Sequence, residues 1–155
     1  MAITRANVEA ALVKRASKKM LLVGFAVTVA GSNADLNDPI GTSLLKMGKS
    51  VSNISQVSDT DLLGISADEV PEFLDRVELR LLESISGNID TTNVTVGPRT
   101  EALGQLADQC EKAIARLVAR MGSDYGIYGS LVAGVIVVDR SEKRDDYMKG
   151  DQLGY

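Results

Sequence analysis

Histidine and tryptophan are absent from this chain of 155 residues, cysteine occurs once, and aromatic residues make up only 4% of the composition. Without histidine there is no Ser-His-Asp or Cys-His nucleophilic system, and the usual transition-metal sites, which combine several His or Cys ligands, cannot form. The single Cys110 excludes an internal disulfide, which is compatible with a reducing compartment such as the cytoplasm. We therefore predict no catalytic residues, no metal site and no cofactor, and we do not expect an enzyme.

Long apolar runs are also scarce. The longest extends from Met20 to Ala30, whereas a helix that crosses a bilayer needs about 20 apolar residues. The run follows a basic segment, as in a secretory signal peptide, but that segment is patterned as a helix from Thr4 and no clear A-x-A cleavage site follows. We expect no membrane partner.

The remaining composition, 45% apolar and 25% charged, is ordinary for one soluble globular domain with a single core. With so few aromatic side chains, the core must consist mainly of Leu, Ile, Val, Ala and Met, which suits closely packed helices. We predict a mainly α fold: a helical bundle with two long helices, a short β element and an extended C-terminal arm. The single helical domain is placed at residues 1–138 and the arm at residues 139–155.

The N-terminal third of the chain contains two predicted helices. The spacing of apolar residues predicts a helix from a Thr4 N-cap to about Val23. The alternating residues 25–30 after it are compatible with a short strand. A second helix is predicted with Asp38 as N-cap and with its end at Gly48.

Three neighbouring side chains, Asp35, Asn37 and Asp38, raise the question of a calcium-binding loop. The spacing of an EF-hand is absent, and so is the glutamate at the twelfth position of such a loop. Capping and turn chemistry is therefore the favoured interpretation of these residues.

Further helices are predicted in the middle of the chain. The apolar spacing at residues 51–57 suggests one or two helical turns, Ser58 is predicted to cap another short helix, and Ser66 with Glu69 has the form of a capping box. A long helix with a buried stripe follows and is predicted to end at Gly87. The stripe consists of Val70, Phe73, Leu74, Val77, Leu81, Leu82 and Ile85.

A hinge at residues 88–99 separates this helix from the next one. Val94 and Val96 alternate with polar residues, which predicts an exposed or edge strand. A strand this short needs a neighbour, and that neighbour is either the apolar run at residues 131–138 or a strand of a second copy.

The second long helix is predicted to begin with Thr100 as N-cap and to end at Gly122. Cys110 lies within its apolar stripe. A thiol in apolar surroundings has a raised pKa and little thiolate, so we interpret Cys110 as a small core residue and not as a nucleophile. The stripe consists of Leu103, Leu106, Cys110, Ala113, Ile114, Leu117 and Met121.

The net charge of −4 is unevenly distributed along the chain. Residues 1–20 carry five bases against one acid, and residues 66–86 carry six acids against two bases. Bases near the end of the first helix complement its dipole, so we favour a solvated face there over a nucleic-acid surface. The opposite charges of the two helices favour contacts between copies as much as binding to a polyanion.

The last segment, residues 139–155, is charged and rich in turn-forming residues. Two interpretations stay open for it: a disordered terminus, or an arm that becomes ordered on a partner. Spaced apolar and aromatic anchors support the second interpretation. These anchors are Tyr147, Met148, Leu153 and Tyr155.

The succession of elements resembles the small head-to-tail adaptor proteins of tailed bacteriophages. The resemblance rests on a basic first helix, small capped helices, a long acidic helix containing Val77-Glu-Leu-Arg-Leu-Leu-Glu, a Thr/Val hinge ending Val-Gly-Pro-Arg-Thr-Glu, and a long second helix. It covers the organisation of residues 4–121. The apolar run at residues 131–138 departs from the pattern of the family.

The resemblance implies a structural connector subunit in the virion neck, assembled in the host cytoplasm. Copies would form a homo-oligomeric ring of twelve around the DNA channel, bound to the portal protein on one side and to a tail or tail-completion protein on the other. DNA would pass through without sequence-specific binding, and a net charge of −4 suits passage better than retention. The implied portal-docking arm is Val135, Val138, Tyr147, Met148, Leu153 and Tyr155, and the implied contact with a neighbouring copy or the tail is Val94, Val96 and Arg99.

Two other classes of function are alternatives. A helical nucleic-acid-binding regulator would place a helix-turn-helix at residues 38–65, but Lys46 and Lys49 are the only bases there, and a recognition helix should carry several. An enzyme would use Glu72, Glu78 and Glu83 to hold divalent ions. Their setting on a helix surface makes solvated acids the default for these three residues.

Overall fold

The computed structural model describes residues 3–92 and 99–126, without the side chains of residues 90–103. This part of the chain forms five α-helices and two short 3₁₀ turns, which confirms the mainly α prediction. No strand occurs within it. The elements are α1 (Arg5–Leu22), a 3₁₀ turn (Ala34–Leu36), α2 (Asn37–Lys46), α3 (Asp59–Leu62), a second 3₁₀ turn (Ala67–Glu69), α4 (Val70–Thr92) and α5 (Arg99–Tyr125).

Contacts divide the chain into two compact units, residues 1–117 and residues 118–155. The described part of the second unit is the end of α5 and Gly126. The predicted arm at residues 139–155 and the strand-like run at residues 131–138 lie outside the described residues.

The first helix forms as predicted. Thr4 has an extended backbone, and its side chain accepts a hydrogen bond from the N–H of Asn7 at 3.3 Å. This bond satisfies one of the amide groups that the first helical turn leaves without a partner. The apolar stripe of α1 is buried, with at most 3% exposure at Val8, Leu12, Ala16 and Met20.

Residues 25–30 are not a strand, which corrects the strand interpretation of that alternating segment. No strand lies beside them in the described part of the chain. Side chains hold the backbone instead: Asp35 accepts from the N–H of Ala26, and the Asn33 amide donates to the carbonyl groups of Ala26 and Thr28. Alternation marks an extended backbone, but a strand also needs a paired neighbour.

Helix α2 begins at Asn37, one residue before the predicted Asp38 cap. Its end is as expected, because Gly48 follows the helix with a φ of +73°, which glycine adopts without the cost that a Cβ atom brings. The helical turns predicted for residues 51–57 are wrong, since this stretch is a loop of turns. Ser58 does cap α3, through a capping box with Asp61.

The capping box of Ser66 and Glu69 is present and opens the turn that leads into α4. Helix α4 then continues past Gly87 to Thr92, so the predicted end at Gly87 is wrong. A glycine inside a helix costs about 1 kcal/mol relative to alanine, and the burial of Ile85 and Ile89 on either side outweighs that cost.

Helix α4 is the centre of the first unit, and both α1 and α2 pack against it. Its predicted stripe is largely confirmed: Val70 and Leu74 are half-buried and the other members are buried. The core of the unit is made of aliphatic side chains with a single ring, that of Phe73, as the low aromatic content predicts. The largest fully buried apolar side chains are Leu12, Met20, Leu36, Ile40, Leu44, Leu62, Phe73, Leu81, Leu82, Ile85 and Ile89.

Helix α5 is longer than predicted at both ends. It begins at Arg99, so Thr100 is already helical and is not its N-cap, and it continues through Gly122 to Tyr125. Gly126 follows with a φ of +65° and donates its N–H to the carbonyl of Gly122, which closes the last turn. The stop signal is therefore the later glycine, and the earlier one is tolerated inside the helix.

The two glycines Gly41 and Gly87 are expected to respond oppositely to alanine substitution. At Gly41, in α2, a Cβ atom would lie 2.7 Å from Ile54 Cγ1 and 3.2 Å from Val57 Cγ2, whereas a Cβ atom at Gly87 meets nothing within 4 Å. Gly87→Ala should raise the free energy of unfolding by about 0.5–1 kcal/mol, because alanine favours the helix. Gly41→Ala should lower it by about 1–3 kcal/mol through overpacking.

Urea unfolding followed by circular dichroism measures both changes, and each variant is the control for the other. A destabilised Gly87→Ala protein would contradict the continuous α4, because it would indicate a left-handed backbone at the predicted helix end.

Candidate interaction surface

Most residues predicted to contact partners lie outside the described part of the chain. Val94 and Val96 lie outside it. The whole predicted docking arm also lies outside it, and consists of Val135, Val138, Tyr147, Met148, Leu153 and Tyr155. Arg99 is the first residue of α5, but its side chain is not among those described. The predicted hinge is shorter than expected, because residues 88–92 belong to α4.

The basic helix α1 and the acidic helix α4 contact each other within one chain. Arg15 Nη1 lies 2.7 Å from Glu78 Oε2 and 3.3 Å from Asp75 Oδ1. Part of the opposite charge that the sequence offers for contacts between copies is therefore used inside the subunit. The contact also brings acids of α4 against α1, which lowers the positive potential of that face.

Two more ion pairs join separate elements around α4. Lys49 Nζ lies 2.9 and 3.0 Å from the two carboxylate oxygens of Glu69, and Arg80 Nε lies 3.0 Å from Asp38 Oδ2. The hydrogen bond from Lys49, followed by the bond from the Ser66 N–H, lowers the pKa of Glu69 to about 2. Glu69 is thus ionised at neutral pH and connects the loop after α2 to the start of α4.

A buried ion pair lies at the start of α1. Arg5 is 2% exposed and Glu9 is fully buried, with Arg5 Nε 3.0 Å from Glu9 Oε1. Glu9 also accepts hydrogen bonds from the N–H groups of Gly31 and Asn33, at 2.7 and 2.9 Å. A buried charge is costly unless it is paired and its other hydrogen-bonding atoms are satisfied, and both conditions hold for Glu9.

The Arg5 guanidinium joins three other segments to α1. Its Nη1 donates to Asn37 Oδ1 and to the carbonyl of Val57, both at 2.9 Å, and its Nη2 donates to the carbonyl of Asn33 at 2.8 Å. The Arg5 N–H also donates to Asp59 at the start of α3. One side chain therefore fixes the loops on both sides of α2.

Arg5 is counted among the bases of residues 1–20 in the sequence, and its burial is not predicted there. The signal for burial was present: Arg5 and Glu9 precede Leu12 and Ala16 at spacings of three and four residues, so they lie on the same face as the apolar stripe. A charged pair in the register of a core stripe indicates a buried ion pair more than a solvated face.

Asp61 forms a second polar centre, at 9% exposure. Its Oδ1 accepts from the N–H and Oγ of Ser52, and its Oδ2 accepts from the N–H and Oγ of Ser58. The backbone bond from Ser52 and then that from Ser58 hold the pKa of Asp61 below its usual range. This carboxylate ties the irregular loop of residues 51–57 to α3.

Each polar centre borders a cleft in the first unit. One cleft, of about 350 Å³, is lined by Arg5, Gly31, Asn37 and Asp59, and the other, of about 490 Å³, is lined by Lys49, Ser52, Thr60 and Asp61, with further residues in each. Every buried side-chain nitrogen or oxygen atom in the described part of the chain has a hydrogen-bond partner. The clefts therefore border a polar framework that is already satisfied by the chain itself.

The three side chains that raise the question of a calcium loop also have protein partners. Asp35 accepts from the Ala26 N–H, Asn37 bonds Arg5, and Asp38 accepts from Thr42 and pairs with Arg80. Within residues 3–92 and 99–126, no group of three acidic, His or Cys side chains is arranged to hold a metal ion.

Cys110 is buried and free, as the stripe of α5 predicts. Burial raises the pKa of its thiol, against a smaller opposing effect of the Lys19 charge. A thiol that stays protonated near neutral pH is a poor nucleophile, so this geometry fits a core residue.

Large apolar side chains remain exposed on the first unit. They lie at the end of α1, on the segment after it, near the end of α2, and in the loops beside α3. Their exposure ranges from 42% to 67%. The residues are Leu21, Leu22, Val29, Leu45, Ile54 and Leu63.

The helix-turn-helix alternative lacks a recognition helix within residues 38–65. Helix α3 contains four residues, Asp59–Leu62, and two of them are acids. A recognition helix needs several turns with bases or amides facing the major groove, and Lys49 is already paired with Glu69.

Comparison with known proteins returns no similarity. No family model, curated protein or solved structure matches the chain. None of the helices found in residues 3–92 and 99–126 has the length and apolar character needed to cross a membrane. Function is therefore inferred from the geometry of the described residues and from the organisation of the sequence.

Arg5→Met is expected to lower the free energy of unfolding by about 3–5 kcal/mol, because it leaves Glu9 buried without its cation. Lys14→Met on the exposed side of the same helix is the matched control and should change stability by less than about 0.5 kcal/mol. Urea unfolding followed by circular dichroism compares the two. A loss below about 1 kcal/mol for Arg5→Met would show that the ion pair does not hold the loops in place.

Asp61→Asn is expected to lower stability by about 1–3 kcal/mol at pH 7, because the NH₂ of the amide faces the N–H of one of the two serines, which then loses its acceptor. Because the folded pKa of Asp61 is depressed, its stabilisation is complete above the ordinary pKa and is lost as pH falls towards the folded value. The difference from the wild type should therefore shrink below about pH 4.

Urea unfolding at pH 7, 5 and 3 tests this dependence. Asp68→Asn, an exposed acid in the turn before α4, is the matched control and should show little effect at any of these pH values. A difference for Asp61→Asn that stays constant with pH would contradict the role of the ionised carboxylate.

Proposed function

We propose that this chain is the repeated subunit of a head-to-tail connector in a tailed bacteriophage. Copies form a ring beneath the portal protein, join it to the tail, and leave a channel through which DNA passes. The observation that carries the proposal is the combination of paired charges and exposed apolar side chains on the first unit. Such a surface is suited to bind other proteins. Burial of exposed aliphatic groups contributes favourably to the free energy of binding, whereas charges already paired within the subunit contribute little to it.

The exposed residues lie where a neighbouring subunit can reach them without disturbing the core. Leu21 and Leu22 end α1 at 61% and 56% exposure, and Leu63 follows α3 at 67%. All three are exposed and lie outside the buried core around Phe73. Contact with a partner would remove these apolar groups from water.

The order of the elements supports the same proposal. A capped first helix, small capped helices, a long acidic helix and a second long helix are the succession that resembles the phage adaptors. The corresponding elements of the structure are α1, α2 with α3, α4 and α5. Side chains cap α1 and α3, whereas α2 has no side-chain cap. Helices α4 and α5 are longer than the sequence predicts, which leaves a shorter connection between them.

The charge distribution is compatible with a channel that binds the passing DNA only weakly. Affinity for DNA grows with the number of phosphates that Lys and Arg neutralise. In α1, Arg5 is buried against Glu9, and Arg15 faces Asp75 and Glu78. The bases that remain at this helix are fewer than the sequence alone indicates, and the chain as a whole carries a net charge of −4.

Assembly of the purified full chain tests the proposal. Light scattering and negative-stain imaging, with and without portal rings, are expected to show rings of this protein, either alone or bound to the portal. Some connectors assemble only on their partner, so the sample that contains portal rings is the decisive test of ring formation. A protein that stays monomeric in both samples and shifts DNA in a gel at moderate salt would support the nucleic-acid regulator and contradict the connector.

Leu21→Ser with Leu22→Ser is expected to weaken ring formation at least tenfold in the protein concentration required. Because both side chains are exposed, the substitutions should leave the unfolding free energy nearly unchanged. Lys14→Ser, an exposed change on the same helix, is the matched control and should assemble normally. Unchanged assembly of the double variant would remove these leucines from the interface.

A further inference from the structure

The segment of residues 25–30 runs back along α1. The helix ends at Leu22, and the chain returns to Glu9 in the first turns of the same helix, where Gly31 donates its N–H to Glu9 Oε2. A Cβ atom at Gly31 would lie 3.7 Å from the backbone nitrogen of Ala6, which confirms that the chain has come back to the start of α1.

Distance requires this segment to be extended. Thirteen residues of α-helix from Glu9 to Leu22 cover about 20 Å at 1.5 Å each. The return from Gly24 to Gly31 has seven residues, which span about 23 Å when extended at about 3.3 Å each. The hydrogen bonds agree, because one Asn33 amide reaches the carbonyl groups of both Ala26 and Thr28, and carbonyl groups two residues apart lie on the same edge of an extended chain.

One edge of the segment forms hydrogen bonds through Ala26 and Thr28, and the other has none at Val27 and Val29 among the described residues. Ala26 and Thr28 direct their bonded groups towards Asn33 and Asp35. In an extended backbone the neighbouring residues direct their N–H and C=O groups to the opposite side. Accordingly, the backbone groups of Val27 and Val29 have no hydrogen-bond partner among the described residues.

Backbone groups without hydrogen-bond partners along one edge can pair with another strand. Val29 is 47% exposed, and the sequence from Gly24 to Ala34 contains no charged residue and no proline. Charges and prolines are what proteins use to protect an edge that must stay single. The segment has neither, and its unpaired amide and carbonyl groups can bind an extended chain by adding it as a new strand.

We propose that residues 131–138 of a neighbouring copy bind along Val27 and Val29 as an added β-strand. This segment, Leu-Val-Ala-Gly-Val-Ile-Val-Val, is uncharged, free of proline and rich in β-branched residues, as the partner of an uncharged edge should be. Its eight residues span about 26 Å when extended, enough to cover the whole edge. It starts five residues after Gly126, the end of the described part of the chain.

The inference rests on the proposed ring and gives it an interface. A ring requires heterologous contacts, in which one surface meets a different surface of the next copy. Pairing of residues 25–30 with residues 131–138 has this property, whereas pairing of residues 25–30 with themselves would close a two-fold dimer. The strand would also be satisfied through backbone bonds, so it does not depend on the charges that are already paired inside the subunit.

Disulfide trapping between two different variants tests the proposal. On a Cys110→Ala background, one full-length protein carries Val29→Cys, and the other carries a single cysteine within residues 131–138. Alternate residues of a strand lie on opposite faces, so the second protein is made in two sets. One set is Val132→Cys, Gly134→Cys and Ile136→Cys, and the other is Ala133→Cys, Val135→Cys and Val137→Cys.

The variants are mixed in pairs under mild oxidation. Opposed residues of paired strands are close enough to form a disulfide. The expected result is a covalent heterodimer with Val29→Cys for one of the two alternating sets and not for the other.

Ser50→Cys, at an exposed loop position, replaces Val29→Cys as the matched control and should give no heterodimer. A Val29→Cys homodimer as the only product would indicate self-pairing and overturn the proposal. A chain with both cysteines that forms only an internal disulfide would assign the strand to the same chain, which would also overturn it.

Light scattering of the same samples separates this inference from the proposed function. Rings without the heterodimer would leave the connector proposal standing and remove the added strand from it. Absence of rings, with and without portal, would contradict the connector itself. The heterodimer with rings is the result that we expect.

Discussion

The buried pair of Arg5 and Glu9 is the interaction on which the arrangement of the first unit depends. The helices α1, α2 and α4 bury their apolar stripes in the ordinary way, but the long connections between them bury few of their own apolar side chains. Glu9 holds the return segment through Gly31 and Asn33, and Arg5 holds the loop after α2 through the carbonyl of Val57. A buried ion pair is not in itself strongly stabilising, so its main effect here is to select one path for these loops.

This use of charge has a consequence for the outer surface. The sequence offers a basic helix and an acidic helix, which would suit contacts between copies if both were free. In the structure, Arg15 meets Asp75 and Glu78 within the chain. The outer surface of the first unit is therefore less charged than the sequence suggests. It includes exposed leucines and an uncharged extended segment, which fits assembly through apolar and backbone contacts.

Sequence patterns predicted the elements whose causes are local. Thr4, Ser58 and Ser66 cap as expected because a capping bond reaches only two or three residues along the chain. The predicted helix ends at Gly87 and Gly122 were wrong. Beyond Gly87 the buried Ile89 favours continuation of α4, and beyond Gly122 the last turn of α5 is closed by the hydrogen bond from the Gly126 N–H. The helical turns predicted for residues 51–57 were wrong because Asp61, on the next helix, holds that loop by two hydrogen bonds from Ser52. The candidate contact residues in the hinge and the arm lie outside the described part of the chain and stay predictions.

The salt dependence of self-association distinguishes assembly through apolar and backbone groups from assembly through charge. It is measured by sedimentation velocity on the full chain, with portal rings if they are required. Salt screens interactions between exposed charges that are more than about 10 Å apart at 0.1 M and more than about 3 Å apart at 1 M. If the charges are used inside the subunit, assembly should be unchanged or strengthened between about 0.1 and 1 M salt. Dissociation of the assembly over that range would show that opposite charges hold the copies together, and would contradict assembly through apolar and backbone contacts.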